Sequence, residues 1–199
     1  MKEKNVYIIA GCNGAGKTTA SFTILPEIIH CKEFVNADEI ARAFAISTWK
    51  SSYWSRANHV EQNWRVIFKQ WKFCVWNKII EAKQNNYTAT LLFFWLKNIE
   101  LAKERVKIRV SEGGHNIESD IIERRYIKGI INLFEIYLPI VDGALIFDNS
   151  FGKPELLASK TADGQLKIIK ENKFNELKCY YDNSRKTNWI IRQNFGRTW

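Results

Sequence analysis

The polar start "MKEKN" gives way to a short apolar run, "NVYIIA" at 5–10, which is far too short to span a bilayer and reads as a buried strand. A helix follows the next turn and ends before Pro26. "EFVNA" at 33–37 predicts a second short strand, leading into a helix that opens with "DEIARAF". Asp38 then stands near the C-terminal end of a strand, the edge where open α/β sheets bind ligands. From 49 to 78 neither a period of 2 nor one of 3.6 is found. Regularity returns at "KIIEAKQNN", a helix that stops at Asn85 and Asn86. "YTATLLFFWL" at 87–96 is almost continuously apolar and β-branched, as a strand covered on both faces should be, and belongs in the middle of a sheet. Asn98 can cap a helix "IELAKERVKIRVSE" that ends at Gly113 and Gly114. A second helix runs from about Ile117 to Leu138, and Pro139 ends it. "ALIFDNS" at 144–150 is a further strand, and "TADGQLKII" a turn with a short edge strand. Strands alternating with helices predict an α/β fold: a parallel sheet with helices on both faces.

The loop after the first strand carries the clearest chemistry. "IAGCNGAGKTT" fits G-x-x-x-x-G-K-[ST] with Gly11, Gly16, Lys17 and Thr18 in the defining places, between a strand and a helix as a P-loop requires. Glycines let backbone N–H groups turn inward around phosphate oxygens, and the helix start adds the positive end of its dipole. Lys17 can reach the β and γ phosphates of a nucleotide such as ATP, and the Thr18 hydroxyl can take a place on Mg²⁺. Asn13, Gly14 and Ala15 complete the cradle, with Thr19 beside it as a helix residue rather than a second metal ligand.

Composition narrows the setting. A chain of 199 residues with 46% apolar content buries one core, so a single domain is expected. The four cysteines have no paired metal spacing and His30, His59 and His115 do not complete one; free thiols in a cytoplasmic protein are expected. The net charge of +9 would suit a polyanionic partner if it were clustered on a fold. Instead, residues 49–78 hold six basic side chains against Glu61 alone, together with five of the eight tryptophans. That distribution argues against nucleic acid as the main partner.

Phosphoryl transfer needs positive charge over the moving group and a carboxylate for the acceptor hydroxyl's proton. Arg105 and Arg109 lie one turn apart on one helix, and Arg124 and Arg125 lie early in the next, across the "GGHN" turn at 113–116. Such a helical pair can close over the loop as a lid. Asp38 is the candidate base and His115 a turn residue.

In order along the chain, "YIIAGCNGAGKTT", "FVNADEIAR", "LLFFWL", "LAKERVKIRVSEGGHNI", "IIERRY" and "FDNS" resemble the zeta-toxin-like P-loop kinases, over about 5–45 and 79–150. Members of that family pass the ATP γ-phosphate to a hydroxyl, in characterised toxins that of a UDP-activated amino sugar. The resemblance implies that Lys17 and Thr18 bind phosphate and Mg²⁺, that Asp38 is the acceptor-side base, and that Arg109 with Arg124 or Arg125 clamps the phosphates. It also brings a neutralising antitoxin protein into view as a partner. The family usually carries a strand like F-A-F-E-T-T before the helix that opens this chain's second matched block. Here "QWKFCVWNK" stands there without a carboxylate. A segment translated out of frame between in-frame flanks would account for 46–78, and a Trp-rich insertion is the alternative. Two further functional readings stay open beside a kinase: a nucleotide-binding protein without productive transfer, and a nucleic-acid-linked ATPase.

Overall fold

The computed structural model describes residues 4–19, 64–68 and 72–195, apart from the side chains of 64–75 and 187–195. Within these, β1 (Lys4–Gly11), β2 (Trp64–Phe68), β3 (Tyr87–Trp95), β4 (Gly143–Asp148), β5 (Glu155–Lys160) and β6 (Leu166–Ile168) form one sheet in the order β2-β1-β3-β4-β5-β6. The helices are α1 (Lys72–Gln84), α2 (Ile99–Ser111), α3 (Ser119–Asn132), α4 (Leu138–Ile140) and α5 (Glu171–Phe195), with a π-helical turn at Leu133–Tyr137 joining α3 to α4. The strand expected at 33–37, with Asp38, lies outside the described residues.

The four strands β2, β1, β3 and β4 run parallel, whereas β5 and β6 are antiparallel additions at one edge. The sheet is thus mainly parallel, as expected, with an antiparallel edge. Only residues 149–154 separate β4 from β5, too few for the crossover that a parallel pairing requires, so the chain must turn back. β3 lies between β1 and β4, and from Leu91 to Trp95 every residue is buried, as its apolar run predicts. It is the spine of a core that includes Ile8, Ile9, Ile79, Phe93, Ile130, Leu133 and Leu157.

Two expectations change. No period was legible at 49–78, yet 64–68 pairs in parallel register with 5–9 of β1, and α1 begins at Lys72 rather than at Lys78. A strand held by its pairing partner does not need a pattern of its own, and the tryptophans and lysines here obscure one. Of 46–78, residues 64–68 and 72–78 thus lie in a strand and a helix, and the rest lies outside the described residues. The helix expected to stop at Pro139 continues to Ile140: the π-helical turn intervenes, and Pro139 falls at the start of the new turn, where a missing N–H costs nothing. α1 ends as predicted, with Asn85 Nδ2 donating to the Glu81 carbonyl (2.8 Å) and Asn86 at φ 61°.

α1 contacts β3 and the π-helical turn, α3 contacts β1 and α5, and α5 contacts β5. α3 is locked to β3 through a buried relay in which Trp95 Nε1 donates to Tyr126 Oη (2.9 Å), which donates to the Leu96 carbonyl (2.6 Å). α5, to which no element was assigned from sequence, packs by Phe174 and Leu177. Among the described residues no helix is long and apolar enough to cross a membrane.

Candidate phosphate-binding site

β1 delivers the chain to Gly11 at the C-terminal edge of the sheet, and the loop turns back into a helix that opens at Lys17. Asn13 and Ala15 are buried, and the Ala15 N–H donates to the Cys12 carbonyl at 3.3 Å. Lys17 Nζ donates to the carbonyls of Gly11 (3.1 Å) and Cys12 (2.8 Å), which folds its ammonium across the loop it belongs to. Thr18 and Thr19 are exposed in the helix that follows. Two glycines are required by space as well as by conformation. Gly14, at φ 75°, would put a Cβ 2.9 Å from the Ala102 carbonyl of α2, and Gly16, at φ 72°, would put one 2.6 Å from Asn149 Nδ2.

The walls come from three elements. From α2, Arg105 donates to the Ser150 carbonyl (2.9 Å) and reaches the Gly14 carbonyl at 3.5 Å. Arg109, one turn on, is exposed and donates instead to the His115 carbonyl at 3.0 Å, closing the turn between the two helices. From α3, Arg125 and Lys128 line a cleft with Asn132 and Tyr137, opposite Cys12 and Asn13 of the loop. Arg124 is exposed and does not line that cleft. Thus, of the arginines singled out in sequence, Arg105 and Arg125 stand against the loop, Arg109 braces the helical turn, and Arg124 is exposed outside the cleft lining.

The third wall follows β4. Asp148 is buried; its Oδ1 accepts from the Ser150 N–H (2.9 Å) and hydroxyl, and its Oδ2 accepts from Lys173 Nζ of α5 (2.8 Å). Burial acts to raise the Asp148 pKa, but the Lys173 and Ser150 hydrogen bonds outweigh it and hold the carboxyl below its ordinary value. Lys173 also donates to Glu155 (2.6 Å), and its two carboxylates raise its own pKa. Asn149, next in the chain, donates from Nδ2 to the Ala15 carbonyl at 2.8 Å. "FDNS" reads as a strand end, but no motif marks Asn149 or Lys128 for the site; the signal for Asn149 is position, since it follows the C-terminal end of a parallel strand. The Cys12 thiol is pushed up to about 11 by burial, against the opposing pull of Lys17 and Arg105, and so stays protonated and unreactive at neutral pH.

This chain therefore places a P-loop at the C-terminal edge of a mainly parallel sheet, with cations presented by two successive helices. Solved structures share the fold. The AvrRxo1-ORF1:AvrRxo1-ORF2 complex with sulphate ions matches with a TM-score of 0.63 at 13% identity, over 88% of this chain and 63% of that one. The AvrRxo1-ORF1:-ORF2 structure with ATP matches with a TM-score of 0.62. The PezAT chromosomal toxin-antitoxin system of Streptococcus pneumoniae matches with a TM-score of 0.57 at 14% identity, over 92% of this chain and 88% of that one. The fold is that of the zeta-toxin-like P-loop kinases. This chain spans 63% of the AvrRxo1 chains it matches. No protein-family model and no curated protein matches the sequence.

Proposed function

We propose that the protein is a phosphotransferase that binds ATP with Mg²⁺ at 11–19 and passes the γ-phosphate to a hydroxyl of a small or nucleotide-linked acceptor, a UDP-amino sugar being one such compound. The observation that carries this reading is the loop itself: a full P-loop, shaped by two glycines that tolerate no Cβ, with Lys17 folded over it and Arg125 and Lys128 across a cleft from it. The residues fit a nucleotide. Backbone N–H groups of 14–18 and the Lys17 ammonium suit the phosphates, and Thr18 is the residue that would hold Mg²⁺, which when bound offsets phosphate charge. Arg125 supplies charge where the transferred group becomes more anionic, and Arg109 can join it once the helical turn moves. Asp38 would take the acceptor's proton. The complexes formed by AvrRxo1-ORF1 and by the PezAT system support a protein antitoxin as a partner for this chain too.

One observation favours a second reading, a protein that binds nucleotide and transfers phosphate poorly. β2, the strand beside β1, is "WRVIF" and offers no carboxylate. That is the outcome an out-of-frame 46–78 would give. Incubating the protein with γ-labelled ATP and a metabolite extract separates the readings. A kinase moves label onto a hydroxyl compound, and nucleotide binding without any labelled product supports the second reading. Release of free phosphate that DNA or RNA stimulates, with steep salt dependence, would replace both with a nucleic-acid-linked ATPase.

A further inference from the structure

Asn149 is almost fully buried at the end of β4, with 6% of its surface exposed. Its backbone N–H donates to the Trp95 carbonyl of β3 at 2.9 Å, which fixes the residue to the two central strands. Its carboxamide crosses to the P-loop, where Nδ2 donates to the Ala15 carbonyl at 2.8 Å, a contact between residues 134 positions apart. Among the described residues the Asn149 Oδ1 has no hydrogen-bond partner. A buried acceptor without a partner is costly, and a residue kept only for packing could dispense with it. Gly16 leaves the space that the carboxamide fills, since a Cβ there would stand 2.6 Å from Nδ2.

We propose that Asn149 is a positioning residue for the phosphate loop, holding the Ala15–Gly16 peptide in the orientation that a nucleotide's phosphates require. The inference rests on the nucleotide reading given above. Its physical basis is the planarity of the peptide unit: in a trans peptide the carbonyl and the following N–H point in opposite directions. Drawing the Ala15 carbonyl toward β4 therefore turns the Gly16 N–H away from β4, to the side on which loop donors can meet a phosphate. Among the described residues Oδ1 is tied to nothing, so the Nδ2 bond is the contact there that sets the carboxamide, and the loop and Asn149 order each other.

Calorimetric titration of Mg·ATP into wild type, Asn149→Ala and Asn149→Asp tests this. Asn149→Ala removes the donor and should weaken Mg·ATP binding about tenfold, the worth of one such hydrogen bond. At neutral pH Asn149→Asp should weaken it further, because a carboxylate can only accept and would face both the Ala15 carbonyl and the phosphates. Protonation gives that side chain a donor again. The gap between wild type and Asn149→Asp should therefore narrow as pH falls, while the gap between wild type and Asn149→Ala stays constant. A purely structural role would lower the melting temperature of both variants without that pH-dependent recovery. Wild-type affinity retained within about twofold in Asn149→Ala would overturn the proposal. So would an Asn149→Asp deficit indifferent to pH; should that variant not fold, Asn149→Ala decides alone. If wild type itself lacked affinity for Mg·ATP, the nucleotide reading would fall and this inference with it.

Discussion

Arg124 and Arg125 are neighbours in sequence, but only Arg125 lines the cleft. One is exposed and clear of the cleft, and the other lines it with Lys128 facing Cys12 and Asn13. Arg125→Ala should therefore lower the rate of phosphate transfer about a hundredfold, the usual effect of deleting one donor aimed at developing charge, with little change in melting temperature. Arg124→Ala should leave the rate within about twofold, since isolated surface charges contribute little. Steady-state rates with matched melting curves check both, and equal effects from the two variants would contradict the assignment. At this scale the loop residues were legible because phosphate binding fixes both residue type and spacing. The choice between adjacent arginines was not legible, because a helix of uncertain start leaves its facing angle undefined. Nor was Asn149, whose role depends on a loop 134 positions away.

Among the elements, β3 and α2 were legible for opposite reasons. β3 is buried on both faces, so its composition alone declares it, and α2 carries its own punctuation, with Asn98 Oδ1 accepting from the Leu101 N–H at 2.9 Å. β2, the start of α1 and α5 were missed. β2 is defined by pairing with β1, and α5 joins a short buried apolar face, Phe174 and Leu177, to a polar anchor, Lys173 to Asp148 and Glu155. That anchor has a pH signature. Asp148's pKa is lowered in the fold, so its contribution is fully present above the carboxyl's ordinary value, about 3.9, and is lost as pH falls through the folded value. Lys173→Met leaves a buried carboxylate with the Ser150 donors alone and should cost about 2 kcal/mol at neutral pH. Denaturant midpoints should show that deficit shrinking on acidification below pH 4, as the carboxyl takes up its proton. A deficit that grows on acidification would contradict the pairing.

For the whole molecule, the alternation of strands and helices indicated an α/β fold, and the parallel part, β2-β1-β3-β4, obeys it. The antiparallel edge did not follow from alternation, because no helix separates β4 from β5 and the short connection reverses the chain. What unites the parts is that β1, β3 and β4 all end beside one loop: Gly11 and Lys17 from the first, Arg105 from the helix after the second, and Asn149 from the end of the third. The loop's role as a nucleotide cradle is tested most directly by titrating Mg·ATP into wild type and Lys17→Ala in a calorimeter. Wild type should bind at a single saturable site, and Lys17→Ala should lose at least about a hundredfold in affinity with its fold intact, because the loop's side-chain cation is gone. Equal binding by both proteins, or no binding by wild type, would contradict it.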